Sequence, residues 1–276
     1  MPRAILRFTI ISLFVTGCEK TPEGEFIPKL VVHCLLHTGE NPVRAKVNRS
    51  YKINEPFESI FSGANIRLYS HLSEWRFEYV AADSYRTSVP VLVEEGDTWF
   101  IQVAREGFDT VEGRTVVPCD FKILFPNPGD TVSIEDSMVW TRSPNCQGYF
   151  LSFRHIESLD TFYWDIVYPN DSFASNYDPA RVNIPKMFFL LIVAPPPDSP
   201  PKPCTLRVWA LDSNYYQWVA AGGLVAGGEL VRETTRLFGG LGVFGSAVER
   251  SVPVFVRSAT GPAQLKTTPF YLDINQ

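Results

Sequence analysis

The sequence predicts an all-β chain built as two β-sandwich domains behind a short export segment. From residue 26 onward, short β-branched and aromatic runs are separated by Gly, Pro, Asn and Asp, the pattern of antiparallel strands and their turns. The 276 residues are 45% hydrophobic and 20% charged, and they include 22 prolines. That is enough apolar material for one large or two ordinary domains, and a change of pattern near residue 118 favours two.

Residues 1–17 read as a lipoprotein signal peptide. Arg3 and Arg7 accompany an apolar centre that runs to Val15, well short of the ~20 residues needed to span a bilayer. The centre ends in Leu13-Phe14-Val15-Thr16-Gly17-Cys18, where Gly17 presents no side chain to a processing peptidase. This stretch resembles a bacterial lipobox. The resemblance implies that Cys18 is lipidated, with palmitate-type chains, and becomes the mature N-terminus. Two or more acyl chains hold a protein stably where one binds only reversibly. Residues 18–25 form a polar tether with Pro22 and Gly24, expected to be extended, and serve either as a plain spacer or as a surface-export signal.

The formal charge of −5 becomes −7 without Arg3 and Arg7, with 23 basic residues against 30 acidic. The chain carries no basic run, so nucleic acid is excluded as an expected partner. Setting Cys18 aside, Cys34, Cys119, Cys146 and Cys204 either pair, in one of three ways, or stay as buried thiols. Their spacing contains no CxxC pair.

Residues 26–118 carry seven expected strands, at 30–36, 43–49, 64–69, 75–80, 85–89, 99–104 and 110–117, which suits an immunoglobulin-like sandwich. Trp99, Ile101 and Val103 give one of these strands an apolar face. Glu94-Glu95-Gly96-Asp97 is a polar turn with a glycine. Residues 119–256 form the second expected domain. Phe125-Pro126-Asn127-Pro128-Gly129-Asp130, then Ser137 to Trp140, Gly148 to Leu151 and Leu206 to Asp212 resemble a fibronectin type III sandwich. In that family a proline-rich first strand precedes a buried tryptophan, and a tyrosine-bearing strand follows. The resemblance implies that Cys119 and Cys146 meet at one pole, making Cys119–Cys146 the preferred disulfide. Further strands are expected at 162–168, 187–193 and 252–256, with a stiff polyproline connection at 194–203 and a weakly structured tail at 257–276.

The sequence carries no recognisable catalytic set. Gly240-Leu241-Gly242-Val243-Phe244-Gly245 spells GxGxxG, but only Ser246 to Ser251 follow before Val252 and Pro253, leaving no room for the long helix of a dinucleotide loop. These glycines are expected to make turns or close strand packing. His33 and His37 on a strand lie about 13 Å apart and cannot share a metal. Asp171, Asn176 and Asp178 lack the ligand spacing of a dedicated calcium loop. Ala247 stands where a nucleophile elbow around Ser246 needs glycine. No catalytic residue, metal site or cofactor is therefore expected. Aromatic side chains gather at Trp164, Tyr168, Phe173 and Tyr177, and again at Tyr215, Tyr216 and Trp218. Tyr216 and Trp218 are the candidate binding residues, sharing one face if their segment is a strand.

Leu30 to Val32, Gly63-Ala64, Trp99 to Val103, Thr115 to Pro118 and Gly239 to Gly245 together resemble the domain of unknown function 4249 family of Bacteroidota lipoproteins. The resemblance implies a lipid-anchored protein of the outer membrane, on its periplasmic or its surface face. Its expected partners are the membrane, through the N-terminal lipid, and a TonB-dependent transporter. It supplies no catalytic residues. The expectation is a non-catalytic accessory or binding module; the alternative is an envelope glycan hydrolase whose carboxylates are brought together only by folding.

Overall fold

The computed structural model describes residues 26–52, 54–133, 135–155, 161–169, 180–183, 200–220 and 236–257. The expected signal peptide, Cys18 and tether, the residues Asp171, Asn176 and Asp178, and the expected strand at 187–193 lie outside the described residues, as do 194–199 and 258–276.

The first sandwich contains β1 (Leu30–His37), β2 (Arg44–Arg49), β3 (Asn65–Tyr69), β4 (Glu74–Ala81), β5 (Ser84–Thr87), β6 (Thr98–Ala104) and β7 (Val111–Val116). All seven expected strands are present, and β1 and β6 alternate along their whole length as half-buried strands must. Leu30, Val32, Cys34 and Leu36 of β1 are buried, as are Trp99, Ile101 and Val103 of β6. Each such side chain contributes about 1.5–3 kcal/mol by leaving water. One sheet orders β1, β2, β5 and β4, and β3, β6 and β7 form the other. β4 serves both sheets. Its start pairs with β3 at Glu74, Trp75 and Arg76, and its end pairs with β5 from Phe77 to Ala81.

The second sandwich contains β8 (Ile123–Phe125), β9 (Thr131–Val132), β10 (Ser137–Trp140), β11 (Gly148–His155), β12 (Thr161–Pro169), β13 (Ala180–Asn183) and β14 (Lys202–Leu211). After the helix α1 (Ser213–Ala220) comes the long strand β15 (Leu241–Val256). One sheet orders β13, β10 and β8; the facing sheet orders β12, β11, β14 and β15. Trp140 on β10 is fully buried and meets Tyr149 of β11 edge-on, with ring centroids 5.4 Å apart. This is the arrangement that the fibronectin-like reading implied. Its aromatic geometry adds to the burial of both rings.

β15 joins the two sandwiches. Its first half, Leu241 to Ala247, runs parallel to β1, and from Ala247 to Val256 it pairs antiparallel with β14. Ala247 lies opposite both His37 and Leu211, so the strand passes from one sandwich to the other at a single residue. Residues 241–247 fall within the 119–256 expected for the second domain, yet they pair with β1 of the first sandwich. The glycines account for this close fit. A Cβ on Gly242 would lie 2.1 Å from the Val32 carbonyl oxygen, and its φ is +107°. One on Gly240 would lie 2.4 Å from Val111 Cγ2. Close strand packing is the role these glycines play. Arg250 of β15 adds a polar tie, reaching Glu95 in the 94–97 turn and Asp120 at 2.9 Å.

Candidate functional site

Where β15 crosses over, β7, β14 and α1 converge on a buried polar cluster. β14 ends at Leu211, and the next residue, Asp212, caps α1. Its Oδ1 accepts hydrogen bonds from the Tyr215 amide at 2.8 Å and the Ser246 amide at 3.1 Å, and its Oδ2 accepts from Thr115 Oγ1 at 2.7 Å. An aspartate three residues before the first bonded amide is an N-cap. The Ser246 hydroxyl lies 2.8 Å from Thr115 Oγ1 and 3.2 Å from the Val116 carbonyl oxygen. Asn214 Nδ2 donates to the carbonyls of Arg114 and Phe244 at 2.7 and 2.8 Å. Gly245 permits the contact, since a Cβ there would lie 2.8 Å from Tyr215 Cβ.

Asp212 is 3% exposed. Burial pushes its carboxyl above the usual carboxylate range, and the donated hydrogen bonds oppose that shift. Both oxygens are engaged, so this carboxyl fixes the helix start rather than standing free to transfer protons. Among the described residues no group of three or more His, Cys, Asp or Glu is placed to hold a metal ion.

A cavity of about 470 Å³ opens beside the cluster. Arg114 of β7 and Arg236 line it together with Asn145, Gln147 and Ser213. Both arginines are exposed.

On the outward face of β1, His33 and His37 meet the helix. The His33 ring lies 5.9 Å from that of Trp218, and the His37 ring lies 5.0 Å from Trp209 and 6.1 Å from Tyr215. His37 Nδ1 is 2.8 Å from Glu40 Oε2. Burial and the nearby Lys46 lower the pKa of His33 below its ordinary value.

The structure revises the placement of the predicted site residues. Tyr216 and Trp218 lie on α1, not on a strand, so residues two apart point to different sides of the helix. Trp218 packs against His33 and Tyr215, which are 5.9 and 6.1 Å away, and this seats α1 on β1. The signal for the helix is Asp212-Ser213-Asn214, a capping sequence that the aromatic run after it overshadows.

Cys119 and Cys146 do lie at one pole, where the Cys119 amide donates to the Pro144 carbonyl at 2.9 Å. No disulfide joins them in the structure, so the preferred pairing is not formed. Cys146 Sγ donates to the Gly148 carbonyl at 2.9 Å, while Cys119 Sγ accepts from Asn145 Nδ2 at 3.7 Å. Burial raises the Cys146 thiol to about 12 and keeps it protonated.

The fold and this junction define a class, an all-β protein of two sandwiches that share their final strand. Within it, the chain belongs to the family described as Domain of unknown function (DUF4249), whose model matches residues 19–251.

Among solved structures, the chain is similar to DIP-gamma IG1+IG2, with 9% identity, 83% of this chain and 97% of that one covered, and a TM-score of 0.21. It is also similar to the fibronectin(III)-like modules of Clostridium thermocellum CbhA, with 8% identity, 87% and 100% covered, and a TM-score of 0.23. A two-domain fibronectin type III segment of chicken tenascin matches at 9% identity, with 67% and 91% covered and a TM-score of 0.19. Among curated proteins, none matches the chain.

Proposed function

We propose that this protein is an outer-membrane-anchored lipoprotein that acts as a non-catalytic accessory or binding module, engaging a TonB-dependent transporter or that transporter's ligand. The observation that carries the reading is the lipobox ending at Cys18, one residue before the family match begins at 19. The fold suits an anchored role. β1, the first strand after the tether, is held between β2 and β15, so tension from the anchor enters a paired strand in the body of a sheet. Fully extended, the residues between Cys18 and Leu30 reach at most about 40 Å, which keeps the sandwiches close to the membrane surface. A partner at that distance is itself an envelope component.

Chemical crosslinking on intact cells, followed by mass spectrometry of the purified protein, tests the proposal. The expected result is enrichment of an outer-membrane transporter over an unrelated lipoprotein control. Recovery of no envelope partner would contradict it.

A further inference from the structure

The arginines in the described part of the chain have unequal commitments. Arg49, Arg67, Arg207 and Arg250 are engaged by carboxylates, and Arg105 lies over the Phe61 ring at 3.5 Å. Arg114 and Arg236 both line the cavity beside Asp212, and among the described residues neither guanidinium has an ion pair or hydrogen bond. The architecture brings them there independently. Asn214 ties the Arg114 backbone to the start of α1, and Arg236 leads into β15.

Asn145, Gln147 and Ser213, neutral residues with side-chain donors, line the same walls, Asn145 Nδ2 also donating to Cys119 Sγ. Asp212, the one carboxylate in the lining, has its oxygens turned to Thr115, Tyr215 and Ser246. The volume of about 470 Å³ falls within the range of small-ligand sites. Two arginines without carboxylate partners among the described residues, and neutral donor-bearing residues lining one opening, match an oxyanion, since the planar fork of arginine pairs with carboxylate or phosphate through two parallel hydrogen bonds.

We infer that this cavity is a binding site for an oxyanion-bearing small molecule, a carboxylate or phosphate held between Arg114 and Arg236. The inference deepens the binding-module reading and rests on it, by naming the ligand chemistry of one site.

The test is calorimetric titration of the detergent-solubilised full-length protein with inorganic phosphate, with citrate and with short-chain phosphatidic acid. Saturable binding is expected. Arg114→Gln and Arg236→Gln should each weaken it by about tenfold or more, and Arg114→Lys, which keeps the charge and loses the fork, should fall between. Arg86→Gln, exposed on β5, should leave it unchanged. Preference for phosphatidic acid identifies a lipid headgroup as the source of the anion; preference for phosphate or citrate identifies a soluble one. No saturable heat with any probe overturns the inference, as does equal weakening by all the arginine variants. Either failure leaves the crosslinking result and the anchor untouched, so the two readings fail separately.

Discussion

Asp212 is a carboxylate taken out of water and given three donors, from Thr115, Tyr215 and Ser246. Asp212→Ala removes the helix cap and strands those donors, and should cost about 1–3 kcal/mol by denaturant unfolding. Asp212→Asn should stay near wild type, because the amide oxygen caps as well and its NH₂ can donate to Thr115 Oγ1. The raised pKa means that the folded state binds more protons than the unfolded state above the ordinary aspartate value. Stability from this group therefore falls as pH rises through that window, and Asp212→Asn removes the slope. His33 acts in the opposite sense. Its folded pKa is lowered, so the unfolded state takes up the proton first, and stability is lost as pH falls below about 6.5. Comparing wild type with His33→Gln at about pH 7.5 and about pH 5.5 should show a smaller loss in the variant.

At the scale of elements, β15 depends on missing side chains. Gly242→Ala places a Cβ against the Val32 carbonyl at a φ of +107°. It should cost about 2–4 kcal/mol through strain and overpacking. Trp140→Ala, which opens the core of the second sandwich, should cost about 3–5 kcal/mol. Both are measurable by denaturant titration. These two elements also mark what can be read directly from residues. β10 was legible because Met138 and Trp140 face the core in a run bounded by polar turns, and β6 because Trp99, Ile101 and Val103 alternate cleanly. β15 was not fully legible. Glycines weaken strand propensity, and the partner that selects this strand is β1, some two hundred residues away in sequence. α1 was hidden for another reason: Tyr215, Tyr216 and Trp218 favour strands locally, and the cap at Asp212 together with packing on His33 and His37 overrides them. The cavity arginines come from separate segments, at 114 and 236, and no local motif joins them.

For the whole molecule, a strand shared by two sandwiches couples their stability. Tryptophan fluorescence and far-ultraviolet circular dichroism should therefore report one coincident unfolding transition, although the chain is long enough for two. Gly242→Ala, by loosening the β1–β15 pairing, should separate the probes. The same pairing gives the proposed tether a firm point of attachment, since β1 is bonded along both edges. The proposed N-terminal lipid, with a body secured at its first strand, is the physical basis of the proposed role. The decisive measurement is fractionation of cells fed a labelled fatty acid, comparing wild type with Cys18→Ser. Wild-type protein should carry the label and sediment with the outer membrane, while the variant should lack the label and leave the membrane fraction; a variant that remains bound would contradict the account.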